Sequence, residues 1–366
     1  MKVALIVTNL RGGGAEKALI QTAAALRAEG HEAMLILLED LRQHEVAQGI
    51  PVHALGRPGE EISKGWLGKR LAAWRVRTRM RQLAADRPFD RIRSTLPVAD
   101  EVCLLARLPN HWMRIANTLS REIDALYATS PRKAGRRLSR YRRLYSGRQL
   151  IAVSRGVAED LTGPLAIRPR RLEVVHNPFD LERIRRQADE PTPGLPTRPY
   201  AIHVGRFARQ KRHDLLLDAW QRLDEPLELI LLTDPAPELE RLIAARRLES
   251  RVRVAGFQSN PYPWIAGARL LILCSDHEGM PNVLVEAMAC GTPVVSTDCP
   301  SGPRELLQER MPEALVAMND PEALLSGIRR VLPLTATAPT WDLSDFSPRA
   351  TVAALTRLTT PDPEGA

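Results

Sequence analysis

The chain has 366 residues, 44% of them hydrophobic, with 52 Lys+Arg against 43 Asp+Glu and a formal net charge of +9. That length points to two domains of about 150 residues each, and the composition excludes a disordered, collagenous or disulfide-scaffold chain. No run approaches the ~18 apolar residues of a membrane span, and Cys103, Cys274, Cys290 and Cys299 show no Cys-x2-Cys spacing, so free thiols in a cytoplasmic protein are expected.

The excess positive charge falls early: residues 1–165 hold 28 Lys+Arg against 16 Asp+Glu. Such asymmetry suits an anionic partner for that half, whether membrane surface, phosphorylated acceptor or nucleic acid. The first predicted element is a strand from Lys2 to Val7, too short for a signal-peptide core. Gly12-Gly13-Gly14 follows, then a helical pattern with Leu19, Ala23 and Leu26 that Gly30 ends, then a strand from Ala33 to Leu38. This is one half of a nucleotide-type βαβ fold. It is not a dinucleotide fingerprint, because Gly12-x-Gly14-x-x-Lys17 lacks the third glycine, and Lys17 is not placed as in a P-loop.

Residues 64–93 carry ten Lys+Arg against two Asp, with Trp66, Leu67, Leu71, Trp74, Met80 and Leu83 interleaved. The spacing predicts a basic amphipathic helix over 66–83 whose tryptophans suit a headgroup interface. Residues 132–148 hold eight basic residues and no acid. Reversible association with an anionic membrane through segments 64–93 and 132–148, at the inner face of the plasma membrane, competes with the simpler reading of two solvated faces. Nucleic acid is not expected, since no nucleic-acid module is recognisable. Arg114 to Thr118 reads as a strand running into a loop, with His111 a surface histidine before it. Gln149 to Ser154 is a strand ending in a helix N-cap. Leu172 to Val175 is the last strand of an N-terminal domain of residues 1–190, closed by the proline-rich linker Pro191 to Thr197.

A second domain, 198–340, restarts the pattern. The strand Tyr200 to Val204 leads into Gly205-Arg206-Phe207-Ala208-Arg209-Gln210-Lys211-Arg212. A guanidinium fork and an ammonium five residues apart can hold two phosphates at once; Arg209 and Arg212 read as solvent-facing. Leu227 to Leu232 and Val252 to Phe257 are further strands. The apolar run Leu270 to Leu273 then stops at a polar loop set by Gly279 and Pro281. Helix formers continue from Val283 to Cys290 until Gly291 ends them. Glu278 in the loop and Glu286 in the helix suit hydroxyl acceptors, and the N–H groups near Asn282, Val283 and Leu284 favour an anion. A final helix is expected over Trp341 to Leu358, within a tail of residues 341–366.

Glu278-x7-Glu286 inside EGMPNVLVEAMACGTPVVSTDCPSGPREL resembles the donor-sugar signature of retaining GT-B glycosyltransferases, the group 1 E-x7-E family, of the bacterial surface and lipid-linked glycan type. Two glutamates at that spacing are common by chance; the preceding strand, the Gly-Met-Pro loop and SGPREL make the pattern specific. The resemblance covers nearly the whole chain and is strongest over 200–310. It implies two Rossmann-like, doubly wound parallel-sheet domains with a cleft between them and a tail crossing back towards the first. It also implies a nucleotide-sugar donor (UDP favoured), a glycan or lipid-linked acceptor, no cofactor and no divalent metal. Catalytic roles fall on Arg206, Lys211 and Glu278. Donor contacts fall on Gly13, Gly14, Arg206, Lys211, Val254, Glu278, Gly279, Met280, Pro281, Asn282, Val283, Leu284 and Glu286, the last at the ribose hydroxyls.

Two positions depart from the family. Asn117 stands where relatives carry a histidine and is assigned only a sugar or acceptor contact. Thr233-Asp234-Pro235 stands where many carry Gly-x-Gly. A sugar-nucleotide epimerase of the same fold, or a non-catalytic subunit binding sugar nucleotide or nucleic acid, stays open.

Overall fold

A computed structural model describes residues 1–11, 13–62, 65–337 and 341–358. Gly12, Lys64 and the tail 359–366, which carried sequence expectations, lie outside the described residues. The chain divides into two compact units. One holds Met1–Pro178 with the described residues from Ser344 on, and the other holds Phe179–Leu343.

Unit one runs β1 (Lys2–Val7), α1 (Gly14–Ala28), β2 (Glu32–Leu37), β3 (Val52–Ala54), α2 (Trp66–Leu83), β4 (Arg91–Thr95), α3 (Pro97–Ala106), β5 (His111–Ile115), α4 (Leu119–Tyr127), α5 (Pro131–Tyr145), β6 (Gln149–Ala152), α6 (Arg155–Thr162) and β7 (Arg171–Val174). Its seven strands lie in the order β3-β2-β1-β4-β5-β6-β7, and every pairing is parallel. Successive side chains of a strand point to opposite faces. Val3, Leu5, Val7, Leu35 and Leu37 therefore join one core with Leu19 and Leu26 of α1. Ala4, Ile6, Met34 and Ile36 join another with Val76 of α2 and Val102 of α3. A sheet covered on both sides needs such continuous apolar strands.

Unit two runs α7 (Leu181–Ala188), β8 (Tyr200–Val204), α8 (His213–Gln221), β9 (Glu228–Leu232), α9 (Pro237–Ala245), β10 (Val252–Val254), α10 (Tyr262–Ala266), β11 (Leu270–Leu273), α11 (Asn282–Ala289), β12 (Val294–Thr297), α12 (Pro303–Leu307), β13 (Leu315–Val316) and α13 (Pro321–Val331). Its sheet is also parallel, in the order β10-β9-β8-β11-β12-β13. The chain then returns to unit one as α14 (Pro348–Arg357), which packs on α1 and buries Val352, Leu355 and Leu358 in the α1-side core.

The division expected near residue 190 falls instead after Pro178. The cause is α7. Asp180 caps it, accepting from Arg183 N at 2.9 Å, and the helix buries Ile184. Arg185 Nε donates to the Ala289 carbonyl at 3.3 Å and Asn260 Nδ2 to the Gln187 carbonyl at 2.9 Å, tying α7 into unit two. The proline-rich stretch is thus a loop inside unit two. The last helix is shorter than expected, because Ser347 caps its start by accepting from Ala350 N at 3.2 Å. β10 ends at Val254, and Gly256 turns with a φ of +76°.

Candidate functional site

In unit two the strand order reverses between β8 and β11, so the loops leaving these neighbouring strands diverge at their C-terminal ends. That is where an open α/β sheet forms its ligand crevice. The β8 loop carries Arg206 and Lys211, and the β11 loop carries Glu278. Backbone contacts pin the two together: Asp276 N donates to the Gln210 carbonyl at 2.8 Å, and Gln210 Nε2 donates to the His277 carbonyl. Lys211 Nζ then meets Glu278 Oε1 at 2.6 Å. A Cβ at Gly205 would make only ordinary contacts, 3.4 Å from Lys211 Cε and 3.5 Å from His203 Nε2. Arg206 is exposed, and among the described residues its guanidinium has no hydrogen-bond or ion-pair partner. The crevice therefore offers one cation already paired and one still available.

Arg212 is not the solvent-facing residue expected. Its side chain is 20% exposed and grips Asp214 at 3.0 Å, Asp276 at 2.8 Å and Asn319, with its backbone in the left-handed region at a φ of 50°. These hydrogen bonds hold its pKa above the ordinary arginine value. Behind the loop, His203 and His213 are buried with rings 4.7 Å apart. Burial pushes the His213 pKa down to about 4 and His203 well below its usual value, so both are neutral at pH 7.

The Glu278–Pro281 loop interlocks with the SGPREL segment. Glu278 N donates to the Pro300 carbonyl at 3.3 Å, and Gly302, with a φ of +77°, lies so close that a Cβ would be 2.3 Å from Pro281 Cδ and 3.2 Å from the Gly279 carbonyl oxygen. The positive φ and the contact both demand glycine. Met280, Val283 and Leu284 are buried. Glu286, 5% exposed, accepts from Tyr262 of α10 at 3.4 Å. At the end of β10, Val254 is half-buried and Phe257 stands 73% exposed. Two hydroxyls at strand ends, Thr233 Oγ1 and Ser275 Oγ, are buried without a partner among the described residues. Sequence reasoning assigned no role to Phe257, Tyr262 or Ser275, and no spacing rule would have brought them to this part of unit two.

In unit one the candidates occupy the C-terminal edge of the sheet. Gly13 N donates to His44 Nε2 at 3.2 Å, and a Cβ on Gly13 would meet Glu16 Oε2 at 2.5 Å, so the glycine makes room for that carboxylate at the start of α1. Gly14 opens the helix itself. Asn117 follows β5; its Oδ1 accepts from Thr118 N at 3.0 Å and its Nδ2 donates to Glu122 at 3.3 Å. His111 corrects another expectation: it begins β5, its Nε2 lies 2.7 Å from Ser94 Oγ, and burial lowers its pKa to about 4.

The basic segments form α2 and α5. On α2, Trp66 (65% exposed), Leu67 (71%) and Trp74 (63%) face solvent, with Arg70 stacked on Trp66. On α5, Arg132, Arg136, Arg142 and Arg143 line a groove of about 630 Å³ floored by Gly135 and Ser139. Glu101 of α3 holds the two helices together, pairing with Lys69 of α2 at 2.5 Å and with Arg140 of α5. Among the described residues no helix is long and apolar enough to cross a membrane, and no three His, Cys, Asp or Glu side chains form a metal-ligand group.

Residues 198–333 match the family described as Glycosyl transferases group 1, and residues 12–183 match Glycosyltransferase Family 4. The chain is 29% identical over 336 residues to the N-acetylgalactosamine-N,N'-diacetylbacillosaminyl-diphospho-undecaprenol 4-alpha-N-acetylgalactosaminyltransferase of Campylobacter jejuni, covering 90% of each. It is 32% identical over 167 residues to a lipopolysaccharide 1,6-galactosyltransferase of Salmonella typhimurium, covering 43% of this chain and 45% of that one. Among solved structures, Anabaena Alr3699/HepE in complex with UDP and glucose shares the fold with a TM-score of 0.74 at 21% identity, over 98% of this chain and 99% of that one.

Proposed function

The chain belongs to the group 1 and family 4 glycosyltransferases of GT-B fold, and from that premise we propose that it moves a hexose or N-acetylhexosamine from a UDP-sugar to a glycan or lipid-linked acceptor, with retention at the anomeric carbon. The observation that carries this reading is the Lys211–Glu278 contact at the β8/β11 crevice. When the bond between the anomeric carbon and the diphosphate oxygen breaks, negative charge gathers on the leaving diphosphate. Lys211 and the unpaired Arg206 are placed to stabilise it, and no divalent metal is then required. Glu278, relieved of its lysine by the incoming phosphate, accepts from sugar hydroxyls. The acceptor oxygen attacks on the face the diphosphate leaves, and its proton passes to a diphosphate oxygen. The relative acting on a diphospho-undecaprenol compound and the fold neighbour solved with UDP support the donor and acceptor classes.

Exposed tryptophans on α2 and the arginines of α5, on two helices tied through Glu101, suit a peripheral site on an anionic membrane, where a lipid-linked acceptor resides. The test is a transfer assay with a panel of UDP-sugars, run with and without EDTA, with the product anomer read by NMR. Lys211→Ala should cut turnover by ~10²–10³-fold with the fold intact. Near-wild-type turnover in that variant removes Lys211 from the site. Turnover abolished by EDTA rejects metal independence, and donor conversion without acceptor favours epimerisation.

A further inference from the structure

β4 runs through the middle of the unit-one sheet, yet it carries two arginines. Arg91 and Arg93, with Arg114 of the neighbouring β5, are each at most 3% exposed. Parallel register sets Val3, Leu5 and Val7 beside Arg91, Arg93 and Thr95, and Trp112 and Arg114 beside Arg93 and Thr95. All three guanidiniums therefore share the face covered by α1 and α14. Arg91 Nη1 donates to the Leu355 carbonyl on α14, and Arg114 Nη2 donates to Asn177 Oδ1 at 2.5 Å. Among the described residues, none of the three forms an ion pair with a carboxylate. Arg91 Nε, Arg93 Nε and Nη2, and Arg114 Nη1 remain buried donors without an acceptor.

Guanidinium keeps its charge inside proteins, so three like charges taken from water with no ion-paired carboxylate are costly; Asp90 and Glu16 act on Arg91 and Arg114 only through space. The strain registers in their acidity: burial and mutual repulsion pull Arg93 well below its usual pKa, and burial is the chief cause of values near 10 for Arg91 and Arg114. A groove of about 210 Å³ opens beside α14 on this same face, lined in part by Arg171, Val175, Ala354 and Arg357. Arg171 and Arg91 lie against the same Trp112 ring, at 5.3 and 5.6 Å from its centroid, and Glu173, which pairs with Arg171 at 3.4 Å, also lines the groove.

We propose that Arg91, Arg93 and Arg114 form a site for a phosphate-class oxyanion inside unit one, beneath α14. Four buried N–H donors without an acceptor match an anion with several acceptor oxygens, as guanidinium forks do for phosphate generally. Lys211, Arg206 and Glu278 belong to unit two. The oxyanion is either free inorganic phosphate or the phosphoryl group of a larger molecule.

The experiment uses the full chain carrying Lys211→Ala and Arg206→Ala, which removes the donor-side cations. It is titrated with inorganic phosphate, and separately with glycerol phosphate, at ionic strength held constant with chloride. Melting temperature and 31P line width are followed. The expected result is a saturable rise in melting temperature with 31P broadening, both lost when Arg93→Met is added. The Arg93→Met comparison also removes the general stabilisation that excluded anions give any protein. A response to inorganic phosphate alone identifies a free anion; a response to both ligands identifies a phosphoryl group. No saturable response, or the same response in Arg93→Met, overturns the site. Should Arg93→Met fail to fold, Arg114→Met replaces it; should both fail, the 31P titration of the parent chain decides. A UDP-dependent shift, measured on the unmodified chain, reports on the donor reading independently.

Discussion

At Gly302 the backbone φ is +77° and the space for a side chain is taken by Pro281. Gly302→Ala should therefore destabilise unit two by about 1–3 kcal/mol through the strained φ, and more if Pro281 cannot move. It should also lower donor affinity by pushing the Glu278–Pro281 loop. Equilibrium denaturation and UDP titration check both, and unchanged stability would mean that the two loops part easily. Glu286→Ala should weaken UDP binding by removing a buried acceptor one turn into α11, with little change in maximal rate at saturating donor; unaltered affinity rejects the ribose assignment. Single residues were legible where local chemistry decides. Ser154 was expected as a cap and accepts from Val157 N at 3.2 Å. Arg212 was not legible, because Asp276 and Asn319 reach it from two segments distant in sequence. The buried arginines of β4 also escaped, since a charged residue in a strand pattern reads as surface until its neighbours are known.

Between β4, α3, β5 and α5 a chain of hydrogen bonds crosses the α3-side core. Ser94 Oγ donates to Asp100 Oδ1 at 2.5 Å, His111 Nε2 lies 2.7 Å from the same hydroxyl, and Tyr145 OH donates to Asp100 Oδ2 at 2.9 Å. Burial raises the Asp100 pKa to about 7. Its contribution to stability is therefore full below about 3.9, the unfolded value, and is lost as pH rises towards 7. The lowered His111 behaves oppositely, losing its contribution as pH falls from about 6.5 towards 4. Asp100→Asn keeps the hydrogen-bond positions and removes one titration, so relative to the parent it should gain stability steadily from pH 4 to 7. Urea denaturation across that window measures it, and a constant difference would place the Asp100 pKa elsewhere. Elements with strong periodicity were legible: α2 spans the predicted residues 66–83. Short elements such as α10, α12 and β13 carry too few residues for any period to show.

For the molecule as a whole, the uneven charge resolves into two helices joined through Glu101, one offering tryptophans and the other arginines. If unit one meets an anionic membrane, vesicles containing phosphatidylglycerol should retain the protein at low salt and release it as ionic strength rises. Trp66→Ser with Trp74→Ser should weaken retention several-fold without changing the melting temperature. Salt-insensitive or absent binding leaves α2 a solvated face. The doubly wound architecture was legible from strands alternating with helices, whereas the true division after Pro178 was not. A proline-rich loop signals a linker only if nothing before it packs onward, and α7 does.

Unit one is closed by α14, a helix that the chain supplies only after all of unit two. Domains made on the ribosome usually fold in order, the first completed before the second emerges. Here the nascent first unit lacks Val352, Leu355 and Leu358 from its α1-side core, and Arg91 lacks the Leu355 carbonyl, through the whole translation of unit two. Unit two, continuous in sequence, is free to fold while its predecessor waits. The order of maturation is thus inverted relative to the order of synthesis, and a chaperone that shields apolar sheet faces would find its substrate in the half made first.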